Sequence, residues 1–526
     1  MFRSRGWLGR LTRRRFLTGS TTLASSVFAT GILGSSSDGL RSGERVNVRR
    51  LGAAGDGHAD DTRVFQNAVQ RAAGGGVVRV PPGVYRLGTV RLRSGITLAL
   101  DAGAVLLGSP DDADYDPVDL VPSLTFADLE TADFSFALLA ADGCTDVTIT
   151  GPGVIDAART RRGGPKPIAL RGCRRVRVAD VEVRGAPNYA VSLLGCTDVV
   201  IEHVTVTGGH ADGIDLDCCR RVRVAGCRVD ALDDGICLKA SGTGGEERFC
   251  EQVVIEDCIV ESSSNGLKLG SESSTGFRDV VLRDCLVRHR PAPGFPPEIA
   301  EDGGVALEMA DGGVLEDVLV EHVRIENVGT PLFVRLGDRS RAAGATAPGV
   351  LRRVTIRDLV ATGARATSVV AGLDGARIED LTLADVRLAH APGAPAALPA
   401  AAIAQLRAAY PRPGMFGPLP AAVLWCRHVA GLRADGLVCE AAAGDPRPAL
   451  WFEDVERARL PRVVAAGAPA LRLHDVRDVA LVGDGTAGWV HLTGRATDDV
   501  RVAGDASLLA PLGTDVPPGA VVVTRS

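Results

Sequence analysis

The chain has 526 residues, a formal net charge of −5 and a pI near 6.0. This weak acidity, together with arginines scattered along the chain, argues against a nucleic-acid partner. With 63 glycines and only 4% aromatic residues, the composition suits a narrow core of small aliphatic side chains better than a large globular core.

The first 40 residues predict an export signal. Residues 12–17 contain three consecutive arginines before a mildly apolar stretch at 17–33, as in twin-arginine signals. That stretch is short and weakly apolar against the ~20 residues of a membrane span, which disfavours an anchor. We expect the mature protein to begin within residues 35–49 and to be periplasmic or extracellular.

Residues 60–73 predict a short helix that covers the open end of the first structural repeat. They combine an aspartate cap, an apolar stripe of helical period and a glycine stop at 74–76. Asp60 and Asp61 could be mistaken for a catalytic pair, but capping explains them better. Residues 75–85 and 95–107 then predict the first two coils.

A repeat of the form Cys-x-x-Val-x-[Ile/Val] dominates the middle of the chain. It starts at Cys144, Cys173, Cys196, Cys219 and Cys250, in steps of 29, 23, 23 and 31 residues. Short β-branched strands broken by Gly, Asp and Asn at this period predict an all-β fold, a right-handed parallel β-helix with an N-terminal capping helix. Looser copies extend to residue 476, so we predict a signal at 1–40, a β-helix catalytic domain at 45–390 and looser C-terminal coils at 391–526.

The repeated cysteines predict columns of buried thiols. Cys227, Cys258 and Cys285 form a second column next to that of the repeat. Coils stack ~4.8 Å apart, inside the ~4.4–6.8 Å Cα range of a disulfide, so vertical disulfides are an open alternative. Folding in a reducing cytosol before twin-arginine export favours free thiols, and the absence of histidines at finger-like spacing disfavours zinc.

Acidic residues recur on two successive repeats, at 210–216 and 231–239. Asp212 and Asp234 are 22 positions apart, close to the repeat period, so their carboxylates should stack on one face. Crowded carboxylates, of which one stays protonated, suit hydrolysis of a sugar bond. The alternative is that these aspartates only cap backbone groups in turns.

From about residue 51 to about residue 327 the chain resembles the polygalacturonase-type glycoside hydrolases, family 28. Residues 147–156, 210–215 and 233–239 are similar to three motifs of that family. The resemblance implies inverting hydrolysis without a metal or other cofactor, with Asp233 as general acid and Asp212 and Asp234 holding and activating water. Inversion needs about 6.5–9.5 Å between the carboxyl groups of the acid and the base. The spacing of ~4.8 Å between neighbouring coils does not by itself establish that distance.

Two positions depart from the family pattern. Asn265 stands where the family's Gly-His-Gly motif has histidine, and residues 306–308, ending in Glu308, replace the Arg-Ile-Lys motif that implies binding of a sugar carboxylate. A rhamnogalacturonan-type or other substituted backbone therefore fits better than plain polygalacturonate.

Lysine is rare enough to be informative. Of 59 basic residues only three are lysines, at 166, 239 and 268, and a lysine supplies a compact point charge. Strand alternation turns Lys239 and Lys268 outward. Lys268, one rung before residue 306, is predicted either to supply the missing cation or to pair with Glu308.

Two further side chains are candidates for the same site. His210 is either a second proton carrier or, more in keeping with a turn, bonded to a neighbour. Asp215 points outward, as does residue 217, and is a candidate ligand for a cation or a sugar hydroxyl.

The sequence thus predicts an exported hydrolase of a pectic polysaccharide. Two other functions stay open: a Ca²⁺-dependent lyase or epimerase with Lys239 or Lys268 as base, and a carbohydrate-binding solenoid without turnover. The C-terminal coils after residue 381, which an Ala- and Pro-rich stretch at 390–420 interrupts, are expected to cap the solenoid, mediate dimerisation or extend the groove. Endo or exo action and oligomeric state are left open.

Overall fold

The computed structural model describes residues 43–119, 130, 133–242, 248–292, 302–341, 348–392, 402–466, 469–483 and 486–524. The predicted export signal lies outside these residues. Among the described residues, none of the helices has the length and apolar character that crossing a bilayer requires.

The described chain winds into a parallel β-helix whose coils contribute strands to three sheets, called here sheets A, B and C. Sheet A contains Arg45–Asn47, Gly76–Val80, Ile96–Leu100, Thr145–Thr150, Arg174–Ala179, Thr197–Glu202, Arg220–Ala225, Cys250–Glu256, Gly276–Arg283, Val314–Glu321, Arg477–Val482, Asp498–Ala503 and Val521–Thr524. Sheet B contains Asp56–Asp60, Gly83–Leu87, Ala104–Gly108, Val154–Asp156, Glu182–Arg184, Thr205–Gly209, Arg228–Ala231, Ile259–Ser262, Leu286–His289 and Arg324–Glu326. Sheet C contains Val90–Arg91, Ala137–Asp142, Lys166–Arg171, Val191–Leu194, Ile214–Asp217, Ile236–Ala240, Asn265–Ser273, Gly303–Met309, Thr330–Leu336, Ser368–Ala371, Leu471–His474 and Val490–Thr493. The predicted parallel β-helix is confirmed.

In the later coils single long strands pass from one sheet into the next. Val350–Ala364 and Ile378–His390 run through sheets A and B, whereas Leu424–Glu440 and Leu450–Ala465 start in sheet C and continue through sheets A and B. The stacking therefore continues without a break on both sides of residue 390. The division there into a catalytic domain and C-terminal coils stays a prediction about function.

The core is a set of vertical columns of aliphatic side chains. In sheet A, Leu98, Ile149, Val178 and Ile201 take the same position on four successive coils and are fully buried. Complete burial of one such side chain stabilises the fold by about 1.5–3 kcal/mol. This column explains why the repeat ends in Val-x-[Ile/Val].

The cysteines form columns of free thiols, as predicted. All twelve are buried and none forms a disulfide. Their Sγ atoms lie near backbone carbonyls of the preceding coil, for example Cys196 at 3.3 Å from Leu170 O and Cys219 at 3.5 Å from Leu193 O. A small side chain with a weak donor therefore fills each corner.

The second residue after each repeat cysteine adopts a left-handed backbone conformation. Asp146, Arg175, Asp198, Arg221 and Gln252 have φ between 53° and 60°. Two ion pairs join neighbouring corners, Arg175 to Asp146 and Arg221 to Asp198, each with a shortest N–O distance of 2.6 Å. Acidic and basic residues thus alternate along the first four corners.

The helix Thr62–Ala72 covers the first coil and buries Phe65 and Val69. Asp61 occupies its N-cap position, but its carboxylate accepts from the amides of Ala54 at 2.7 Å and Gly55 at 2.9 Å, not from the helix. The expected cap on the helix amides comes instead from Asp60, which accepts from Thr62 N at 3.0 Å. Short 3-10 helices span Arg49–Leu51, Asp112–Asp114 and Ala506–Leu508.

Candidate active site

A vertical row of polar side chains lines the N-terminal edge of sheet C. The register pairs Ile214 with Ile236 and Ile236 with Leu267, which stacks Asp212, Asp234 and Asn265 on successive coils. Carboxylate oxygens of Asp212 and Asp234 lie within 4.8 Å of each other. The predicted stacking of the two acids is confirmed.

The glycine after each member of this row is required by packing. A Cβ on Gly213, Gly235 or Gly266 would lie 2.1–2.2 Å from a valine methyl of sheet B. The backbone can therefore turn closely enough for the preceding side chain to face out of the coil. This accounts for the repeated Asp-Gly-Ile sequence.

Asp234 is held ionised by a dense set of donors. Its carboxylate accepts from Ser264 Oγ at 2.9 Å, from Asn265 N at 3.1 Å and Nδ2 at 2.9 Å, and from Lys268 Nζ at 2.8 Å. Burial alone would raise the pKa of Asp234, but Lys268 and Asn265 outweigh it and the pKa lies below its usual range. Asn265 thus supports this carboxylate from the family's histidine position.

Asp212 belongs to a second buried charge cluster. Lys239 Nζ lies 3.2 Å from Asp212, 2.8 Å from Asp215 and 2.6 Å from the Tyr189 hydroxyl. Burial raises the pKa of Asp212 well above its usual range and that of Asp215 to about 6, although Lys239 acts in the opposite direction on both. Asp212 and Asp234, although adjacent, therefore have opposite tendencies to hold a proton.

Asp233 is the most accessible acid of the three, with 27% of its side chain exposed. Arg162 Nη1 lies 2.6 Å from its carboxylate, and Arg162 is held from behind by Glu130 at 2.5 Å. Burial and the neighbouring Asp234 raise the pKa of Asp233 despite this guanidinium. Asp233 therefore combines access to solvent with a tendency to retain a proton.

The ammonium of Lys268 is not free to bind a sugar carboxylate. Its ammonium lies 2.8 Å from Asp234 and 3.7 Å from Glu308, and only 4% of its side chain is exposed. The sequence left open a free cation or a partner of Glu308, whereas the closest acid to this ammonium is Asp234 and Glu308 lies farther away. Glu308 is fully buried with neither carboxylate oxygen hydrogen-bonded, and burial raises its pKa to about 8.

Two other predicted residues have smaller roles in the geometry. The His210 backbone N–H donates to Ala186 O at 2.8 Å, and its side chain is half-buried. The expected side-chain bond to a neighbour stays a prediction. Asp217 accepts from Ser241 N at 3.0 Å and Oγ at 2.5 Å, which ties down the next loop.

The sequence missed several residues that complete the site. Arg162 and Tyr189 come from turns of earlier coils. Tyr410 comes from a segment far along the chain, and its hydroxyl lies 3.5 Å from Lys268 Nζ. The one sequence signal that pointed toward these contacts was the scarcity of lysine, because Tyr189 contacts Lys239 and Tyr410 contacts Lys268. Lys166, like the other two lysines, is buried in sheet C, where its ammonium lies 4.2 Å from the centre of the Phe134 ring.

A calcium site fits these residues poorly. Asp212, Asp234 and Cys237 lie close enough together to share an ion, but Ca²⁺ takes 6–8 oxygen ligands. A thiol replaces one oxygen, and Lys239 and Lys268 already neutralise the two carboxylates. The donor set therefore favours a charge-balanced pair of acids over the calcium centre of the lyase alternative.

The chain is similar to polygalacturonases and related pectin-degrading proteins. Residues 166–330 match the family model "Right handed beta helix region", and residues 45–109 match "Rhamnogalacturonase A/epimerase, pectate lyase-like". A probable polygalacturonase of Vitis vinifera is 26% identical, over 62% of this chain and 70% of its own length. These similarities support a divergent member of glycoside hydrolase family 28. This confirms the predicted enzyme class, a glycoside hydrolase.

Two further proteins are similar to this chain, one in sequence and one in fold. Rhamnogalacturonase A of Emericella nidulans is 24% identical over 45% of this chain and 43% of its own length. The family 28 exopolygalacturonase of Yersinia enterocolitica superposes with a TM-score of 0.58, covering 88% of this chain and 78% of its own at 16% identity. At that identity the superposition supports the fold alone.

Proposed function

We propose that the protein hydrolyses O-glycosidic bonds of a pectic polysaccharide by an inverting mechanism, with Asp233 as general acid. The observation that carries this proposal is the divergence of pKa between adjacent carboxyl groups. The pKa of Asp233 is raised and that of Asp234 is lowered, so Asp233 keeps its proton to a higher pH than Asp234 does. Hydrolysis of a glycosidic bond needs such a pair.

The proton of Asp233 goes to the oxygen of the departing sugar. Its exposed carboxyl can reach a bound chain, whereas Asp212 and Asp234 are both at least 95% buried. Arg162 lowers the pKa of Asp233, so moving the guanidinium away from the carboxyl group would raise that pKa further and favour the protonated acid. An anionic group of the substrate would draw this half-exposed guanidinium away and free Asp233 to take up a proton.

Water is activated at the buried pair. The oxygens of Asp212 and Asp234 are close enough to hold one water molecule between them. Asp234, ionised by Lys268 and Asn265, is the base that accepts a proton from this water. Attack on the anomeric carbon from the side opposite to Asp233 then inverts the configuration.

The proposed substrate is a rhamnogalacturonan-type or other substituted pectic backbone. Residues 306–308 are buried, and Lys239 and Lys268 are engaged by protein carboxylates, so none of them offers the paired cations that polygalacturonate would need. Arg162 is a cation of the site with a solvent-accessible side chain, 48% exposed. The site therefore offers one accessible arginine to one acidic group of a substrate bound near Asp233. Export by the twin-arginine route, inferred from residues 12–33, is part of the proposal.

Digestion of several pectic backbones with mass analysis of the products tests this function. Products heavier by one water for each broken bond are expected from the native protein, and Asp233→Asn should abolish them. Asp257→Asn is the matched control, since Asp257 is an exposed corner residue of the next coil and asparagine tolerates its left-handed backbone. Products lighter by one water would indicate a lyase, and binding without products would indicate a non-catalytic solenoid.

A further inference from the structure

The outward face of sheet C changes character abruptly beyond the site. One row of positions in register carries Asp215, Cys237 and Lys268 on successive coils, and then Ala306, Phe333, Val369 and Trp425 on the next four. Polar residues thus end at Lys268. The four apolar positions are at most 2% exposed, although they point away from the core of the coil.

Residues 402–420, called here the closing segment, cover this apolar half of the face. Leu419 is buried against it, and Ile403, Met415 and Phe416 pack on the same cluster as Phe333 and Trp425. The Phe416 ring meets the Trp425 ring edge-on, with centroids 5.2 Å apart. A second small hydrophobic core therefore holds the segment on the outside of the solenoid.

Polar contacts fasten the closing segment at its start. Arg335, fully buried on sheet C, donates to Gln405 O at 2.7 Å and to Leu406 O at 3.3 Å. Arg427 donates to Ile403 O at 2.7 Å. These are charge-assisted bonds from side chains that the segment itself shields from water, which makes its release costly.

The tip of the closing segment reaches the site. The Tyr410 hydroxyl lies 3.5 Å from Lys268 Nζ. Pro413 Cγ lies 3.1 Å from the position that a Cβ would take on Gly303, the residue that pairs with Asn265. Since Lys268 is one rung beyond the coil of Asp234 and Ala306 is a further rung away, the covered face begins about 10 Å from the coil of Asp234.

We infer that the closing segment forms a wall at one end of the site, so that the enzyme removes units from the end of a polysaccharide chain. This inference rests on the proposed hydrolase function. A long chain lying across the stacked aspartates cannot continue along sheet C past Tyr410, because the next four coils are already covered. The chain therefore has to end at the wall.

End-blocked substrates test the wall with the full-length protein. One pectic preparation has its reducing ends reduced to alditols, and another has its non-reducing ends converted to unsaturated uronates. A wall predicts loss of activity on one preparation only, and a single short product from the earliest time point on unmodified substrate. Equal activity on both preparations, with a rapid fall in viscosity, overturns the wall while leaving hydrolysis intact.

A variant of the tip provides a second measurement. Tyr410 is 52% exposed as a residue, and its ring stands next to Lys268. Tyr410→Ala removes this ring, whereas Tyr410→Phe keeps the ring and loses the hydroxyl. The alanine variant is expected to release longer products than the native protein, and the phenylalanine variant to keep the native product size. Identical products from all three proteins would count against Tyr410 as part of the wall. Absence of hydrolysis on every substrate would instead refute the proposed function.

Discussion

Glu308 should make the stability of this protein depend on pH in an unusual direction. Its carboxyl group is fully buried beside Asp234, and burial raises its pKa from 4.5 to about 8. Below pH 4.5 the folded and unfolded chains both hold the proton. Between pH 4.5 and about 8 only the folded chain holds the proton. Release of the proton stabilises the unfolded state in this range, so folding becomes less favourable as the pH rises.

The size of the effect follows from the two pKa values. Each pH unit between the two pKa values corresponds to ~1.4 kcal/mol, and the pKa rises from 4.5 to about 8, a difference of roughly 3.5. The native protein should therefore lose about 5 kcal/mol of unfolding free energy from this group across that range. Glu308→Gln stays neutral, so its stability relative to the native protein should rise by this amount as the pH is raised.

Urea unfolding of both proteins at pH 4.5 and at pH 8 measures this difference. Glu256→Gln is the control, because Arg283 and Arg223 lower the pKa of Glu256 despite its burial. That variant should be less stable than the native protein above pH 4.5, and the deficit should shrink as the pH falls. A stability difference for Glu308→Gln that does not change with pH would refute the assignment of a neutral buried carboxyl.

Two further variants test the charge balance of the acids. Arg162→Gln removes the guanidinium that lies 2.6 Å from Asp233, so the pKa of Asp233 should rise further. The alkaline limb of the pH profile of kcat/KM should then move to higher pH. An alkaline limb that does not move would mean that Asp233 is not the general acid. Asn265→Ala removes the Nδ2 donor 2.9 Å from Asp234. A hydrogen bond to a charged group is worth about 1.5–3 kcal/mol, so the acidic limb should rise by about 1–2 pH units, and an unchanged acidic limb would exclude Asp234 as the base.

The repeat made the fold and the placement of the acids predictable. A period close to 22 residues puts Asp212 and Asp234 on neighbouring coils, and strand alternation turns Lys239 and Lys268 out of the core, as the register confirms. These predictions succeed because stacked coils impose one periodicity on sequence and structure alike.

The contacts across the face were not predictable in the same way. Alternation tells which side chains leave the core, but not what covers them afterwards. Arg162 lies 71 residues before Asp233, and Tyr410 lies 142 residues after Lys268, in segments without the repeat. For the same reason the sequence could not decide between a free cation and a partner of Glu308 at Lys268, which the structure buries next to Asp234, Glu308 and Tyr410.

The alternating charges at the corners favour the correct order of stacking of the coils. Asp146, Arg175, Asp198 and Arg221 stand one above the other, and each Arg contacts the Asp of the preceding coil. If one coil looped out during folding, aspartate would meet aspartate and arginine would meet arginine, although the aliphatic columns would still match. Each exposed pair is worth only about 0–1 kcal/mol, yet together the corners distinguish the correct stacking from a misthreaded one that the hydrophobic core alone would accept.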